Sequence, residues 1–137
     1  MMTSYIALDL ETTGLESKTE KITEAAALKV IDGTVRERFV TLINPGRPIS
    51  EKITQLTGIT DEMVRTAPLM ENVIGELLAF CEGLPLLGHN ILFDYRFLKQ
   101  AAVNSRLECE FEAVDTLTLV RHLMPPDEKK NLSASCT

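Results

Sequence analysis

The chain has 137 residues, 45% hydrophobic and 25% charged, the make-up of one soluble domain that can bury roughly two-thirds of its unfolded surface. A formal charge of −6 excludes a protein that coats nucleic acid through a broad basic face, but not an enzyme that grips a strand end through metal ions. No apolar run nears the ~20 residues of a membrane span, no signal-like segment opens the sequence, and Cys81, Cys109 and Cys136 fit neither a disulfide framework nor a zinc motif, so a reducing cytoplasm and no membrane are expected.

Tyr5 to Leu10 is an apolar run of strand length. Alternation puts Ile6, Leu8 and Leu10 on one face and Tyr5, Ala7, Asp9 and Glu11 on the other. Both faces begin apolar, which suits a central strand covered on two sides. Asp9 and Glu11 then arrive at its C-terminal end, pointing the same way, with backbones roughly 6–7 Å apart. Two anions that close are unfavourable without a proton or cation between them, so the spacing suits a divalent metal site. A plain strand end followed by a Thr12-Thr13-Gly14 turn accounts for the pattern equally well at this point. A Walker-B-like strand is weaker, because no G-x-x-x-x-G-K-[ST] segment is present to hold phosphates.

A polar turn from Glu16 to Lys21 leads to a strand over Ile22 to Ile31. Asp32-Gly33 signals a hairpin, with Thr34 to Ile43 returning, and Asn44-Pro45-Gly46 supplies turn chemistry. Ser50 can cap a short helix carrying Ile53 and Leu56 and stopped by Gly58. Thr60 followed by Asp61 and Glu62 reads as another helix start. Pro68 opens the clearest helix, with Met70, Val73, Ile74, Leu77, Leu78 and Cys81 on one stripe and Gly83 at its end. Leu84 to Gly88 is a short buried strand, followed by His89-Asn90.

From Ile91 to about Asn104 the pattern is helical, and Asp94 shares the apolar stripe with Phe97, Leu98 and Ala101. A buried, unpaired carboxylate costs several kcal/mol or loses its charge. Asp94 is therefore either a first-turn residue favoured by the helix dipole or a carboxylate that faces the end of the first strand, where a metal offsets its burial. Phe111 to Val114 suits a last strand. Asp115 or Thr116 then caps a helix through Leu117, Val120, Leu123 and Met124, which Pro125-Pro126 stops before the charge run Asp127 to Lys130. Asn131 to Ala134 reads as the first turn of a further helix.

Taken together, these segments resemble the DEDD (DnaQ-like, DEDDh type) 3′→5′ exonucleases, a family that includes polymerase proofreading domains. Asp9-Leu10-Glu11-Thr12-Thr13-Gly14 resembles its first motif, and the run from His89 and Asn90 through Phe93, Asp94, Phe97 and Leu98 resembles its second. Ile49-Ser50, Leu56 to Thr60 and Asp115 to Leu117 also match, so the resemblance spans nearly the whole chain. It implies an α/β, RNase H-like mixed sheet, antiparallel hairpin strands plus parallel strands, flanked by helices. It also implies two Mg2+ or Mn2+ ions and release of nucleoside 5′-monophosphates from a single-stranded DNA or RNA 3′ end. By the same resemblance Asp9, Glu11 and Asp94 are the catalytic, metal-holding residues. Asp9 bridges the ions, Glu11 ligates one and helps place the water, and Asp94 completes the site. Thr12, His89, Asn90 and Phe93 line the terminal nucleotide's pocket, with Thr57 near its base. His89 is a positioning or structural residue rather than the base. A DNA polymerase or other replication protein is the implied partner.

The family's third motif pairs a His or Tyr base with a fourth metal-binding Asp on a C-terminal helix, and no such motif is present. His122 has no matching Asp, since Asp127 lies across Pro125-Pro126, and reads as a surface or packing residue. The expectation is a single exonuclease-like domain over residues 1–137 lacking the last helix, weak or inactive as this chain alone. General-base catalysis typically contributes ~10²–10⁴-fold. The open strip of sheet would invite a homodimer. An inactive exonuclease-like binding or interaction module is the alternative function, and another RNase H-like phosphoryl-transfer role ranks below it.

Overall fold

The structure, a computed structural model, describes residues 3–116. The helix expected after Thr116, His122, Cys136 and the charge run all lie outside the described residues.

Strand β1 runs over Tyr5–Thr12, two residues past the apolar run, so Asp9 and Glu11 lie within the strand rather than at its tip. Its partner β2, Ile22–Ile31, is antiparallel, and β3, Thr34–Leu42, returns along β2. Asp32 and Gly33 both take positive φ, 50° and 79°, as a tight two-residue hairpin demands. On the other side of β1 lie two short parallel strands, β4 over Leu86–Gly88 and β5 over Ala113–Asp115. The five strands among the described residues form one sheet in the order β3-β2-β1-β4-β5, with β1 in the middle. This is the mixed sheet that the sequence implies. Both parallel strands start later than expected, although the carbonyls of Pro85 and Glu112 already accept from the Ile6 and Leu86 N–H groups, at 2.9 and 2.7 Å. Asp115 consequently ends β5, opposite Gly88.

Four helices among the described residues accompany the sheet. Helix α1, Glu51–Thr57, is capped by the Ser50 hydroxyl, which accepts from the Ile53 N–H at 3.2 Å, and closed by Gly58 in the left-handed region. Helix α2, Asp61–Arg65, is capped in the same way by Thr60. The two share a small core of Ile49, Ile59 and Val64, against which Ile53 packs, whereas Leu56 points to solvent. Helix α3 covers Met70–Cys81 and α4 covers Ile91–Asn104. Val73, Ile74, Leu77 and Cys81 of the predicted stripe are buried, as are Phe97, Leu98 and Ala101 of α4. They pack on Ile6, Leu8 and Leu10, which form the floor of the main core with Ala25, Ala27 and Leu86. On the opposite face of β1, Tyr5, Ala7 and Glu11 are half-buried and Asp9 is exposed. The two-sided cover expected of β1 is thus seen on one face among the described residues. None of the described helices is long and apolar enough to cross a membrane.

Gly88 sets how closely β4 can approach β1. A Cβ built there would lie 2.6 Å from the Leu8 carbonyl oxygen and 3.2 Å from Cδ1 of Ile91. The first contact is with backbone in the middle of the sheet, which has no side-chain rotamer through which to yield. Gly88→Ala should therefore destabilise the chain by about 1–3 kcal/mol. That corresponds to a fall of roughly 5–10 °C in thermal midpoint. An unchanged midpoint would mean that the β1–β4 approach is looser than described.

Candidate active site

Alternation along β1 sets Asp9 and Glu11 on the face away from α3 and α4. β4 pairs with β1 only as far as Ala7↔Leu87. Three residues farther along β1, the Leu10 backbone comes near the carboxyl of Asp94 and favours its charged form. Asp94 lies in the first turn of α4, where the helix dipole favours it, and the charges of Asp9 and Glu11 on β1 act on its carboxyl.

Asp94 is 5% exposed. Burial pushes its pKa up to about 7, and the charges of Asp9 and then Glu11 push the same way, while the Leu10 backbone opposes them. Glu11 is also raised, first by burial, then by Asp9, then by Glu24. Asp9, Glu11 and Asp94 therefore feel one another's charge although they come from distant parts of the chain. Among the described residues no group of three or more His, Cys, Asp or Glu side chains is arranged to hold a metal ion as it stands. The donor set suits a hard divalent cation in its chemistry and in its mutual repulsion, and the cage around such an ion is incomplete among the described residues.

The remaining predicted residues fall into two groups. His89 and Asn90 are exposed between β4 and α4, beside Asp94 in the chain. Asn90 precedes α4 with φ 55°, the left-handed region that Asn tolerates and β-branched residues do not. Its carbonyl accepts from the Phe93 N–H at 3.0 Å. Phe93 is half-buried, and its ring lies 5.0 Å from that of Phe97, tying the start of α4 to the core. Thr12 is buried, and its hydroxyl donates to the Gly14 carbonyl at 2.7 Å, shaping the turn after β1. Thr57 stands apart in this respect. It closes α1, donating to the Ile53 carbonyl at 2.9 Å and accepting from the Ile59 N–H at 3.2 Å. Its hydroxyl is committed to that helix end.

Glu24 is the carboxylate that the sequence leaves unremarked. It pairs directly with Glu11, and the ladder then shifts, because Thr12 pairs with Ile22 and Thr23 is the extra residue. Such a bulge re-aims side chains beside it. Thr23 is buried, and its carbonyl accepts from the Ile43 N–H at 2.8 Å. Periodicity alone assigns Glu24 a face but cannot say which residue of β1 it meets.

The family model described as Exonuclease (RNase_T) matches residues 6–137. Among curated proteins, the chain is 42% identical over 119 residues to the PolC-type DNA polymerase III of Caldanaerobacter subterraneus, covering 87% of this chain and 8% of that protein. The PolC-type polymerase of Thermotoga maritima is 38% identical over 122 residues, covering 88% and 9%. The chain thus spans under a tenth of the length of these relatives. Among solved structures, exonuclease X in complex with 5′ overhanging duplex DNA superposes with a TM-score of 0.70 at 32% identity, over 89% of this chain and 65% of that one. Escherichia coli exonuclease I in complex with a dT13 oligonucleotide gives a TM-score of 0.76 at 17% identity, over 88% and 29%, a likeness of fold. The mixed, helix-flanked sheet is the RNase H-like exonuclease fold.

Proposed function

The chain belongs to the exonuclease family whose model spans residues 6–137, and from that premise we propose that it is a 3′→5′ exonuclease domain hydrolysing phosphodiester bonds at DNA 3′ ends. The observation that carries this reading is the buried Asp94 carboxyl, brought from α4 to within reach of the charges of Asp9 and Glu11 on β1. Members of the family generally use divalent metal ions, here Mg2+ or Mn2+. Asp9, Glu11 and Asp94 are the residues that would hold them. When bound, two such ions supply Lewis acidity, activating a water on one side of the phosphodiester and stabilising the leaving oxygen on the other.

The chain's own residues do the rest. Asp9, exposed on β1, faces the side from which a strand end would arrive. Asp94 is held buried beside β1 by the packing of the apolar stripe of α4 on the sheet. His89 and Asn90 present polar groups beside that flank, and the half-buried Phe93 offers a ring against which a terminal base can rest. Thr12 shapes the turn that follows β1, and Thr57 closes the end of α1. DNA as substrate and a polymerase as partner accord with the PolC-type relatives and the DNA-bound exonuclease X.

The reading is tested with a single-stranded oligonucleotide labelled at either end, in Mn2+. A 3′ label should leave as a mononucleotide, only slowly from this chain alone, while a 5′ label should persist on a ladder of shortening products, and a circular single strand should stay intact. Cleavage of the circle would instead indicate an endonuclease. Binding of the 3′ end without release would indicate an exonuclease-like binding module.

A further inference from the structure

Directly opposite residues of an antiparallel pair project to the same face, so the Glu11↔Glu24 pairing places Glu24 beside Glu11 on the face that also carries Asp9. Like charges so placed weaken a sheet. Glu24 is half-buried. It is also the last residue of the regular β1–β2 ladder before the bulge at Thr23. The Thr23 carbonyl accepts from Ile43, which anchors that bulge and with it the place of Glu24.

Resting on the reading of Asp9, Glu11 and Asp94 as cation ligands, we propose that Glu24 is a positioning residue that acts through Glu11 and sets how tightly the site takes a divalent cation. In the cation-free chain Glu11 and Glu24 repel each other across the ladder, and a cation beside Glu11 relieves that repulsion. Glu24 also deepens the negative potential where the cation sits, without coordinating it. One charge several ångströms from a divalent ion in partly solvated surroundings changes affinity by roughly three- to tenfold.

The test is Mn2+ binding to the 137-residue chain, followed by electron paramagnetic resonance, with cation-free thermal melts of the same samples. Wild-type binding should depend on Asp9. Glu24→Gln should weaken it by roughly three- to tenfold at unchanged stoichiometry. Glu24→Asp should bind nearly as wild type, and the cation-free midpoint of Glu24→Gln should be no lower than wild type, because a repulsion has gone. Unchanged affinity in Glu24→Gln would overturn the proposal. So would a loss that Glu24→Asp does not recover, or one accompanied by a lowered cation-free midpoint, since either marks a structural role. Wild-type binding indifferent to Asp9→Ala would overturn the underlying ligand assignment and the role of Glu24 with it.

Discussion

Asp9→Ala should lower release of 3′-terminal nucleotides in Mn2+ by roughly 10²–10⁴-fold, as expected when several kcal/mol of transition-state charge stabilisation is lost. The fold should survive the change. Asp9 is exposed on β1, so little packing goes with its side chain, and its removal relieves repulsion on both Glu11 and Asp94. The midpoint of the cation-free chain should accordingly hold or rise. Initial rates on a 3′-labelled oligonucleotide, set beside thermal melts, separate these two effects. A variant that retains most of the wild-type rate would remove Asp9 from the chemistry.

The second large effect is on stability against pH. The Asp94 pKa is pushed up to about 7 in the folded chain from an ordinary carboxylate value near 4, and Glu11 is shifted in the same direction. Between those two values the folded state binds more protons than the unfolded state. The cation-free chain therefore gains stability as pH falls from about 7 toward about 4, and loses that gain as pH rises again through 7. For Asp94 the change amounts to about 4 kcal/mol at most. Asp94→Asn keeps the shape without the ionisable group. It should flatten most of this dependence and leave the cation-free chain more stable than wild type at pH 8. Urea titrations at pH 5 and pH 8, in chelator, measure both differences. Equal wild-type stability at the two values would show that the Asp94 carboxyl is better solvated than its burial implies.

Much of the fold is legible in the sequence, because burial imposes a period on it. Ile6, Leu8 and Leu10 read as one face and are buried together, and the α3 stripe of Val73, Ile74, Leu77 and Cys81 does the same. Asp32-Gly33 marks its hairpin through the φ > 0 that such a turn requires. Ser50 and Thr60 mark their helices as caps. Asp94 stands out because a carboxylate in an apolar stripe needs a reason. What a period cannot carry is register. It places Glu24 on a face but not opposite Glu11, and nothing in Ile22-Thr23-Glu24 announces the extra residue at Thr23. Nor does it reveal that the Asp94 carboxyl comes near the Leu10 backbone, since that approach joins distant parts of the chain. Leu56 shows the opposite failure. Helical spacing pairs it with Ile53, yet α1 is only seven residues long and too small to bury both.

The side-by-side placing of Ile6 and Leu86 has a kinetic consequence. The β2–β3 hairpin closes across two residues, and β1 joins it across a short turn, so these three strands can assemble from near neighbours. Pairing of β1 with β4 must instead draw together segments about 80 residues apart, at an entropic cost that grows with the logarithm of the span. Contacts of such long range come late and slow the approach to the native state. Asp9 and Glu11 are neighbours as soon as β1 forms, whereas Asp94 joins them only when these distant segments are drawn together.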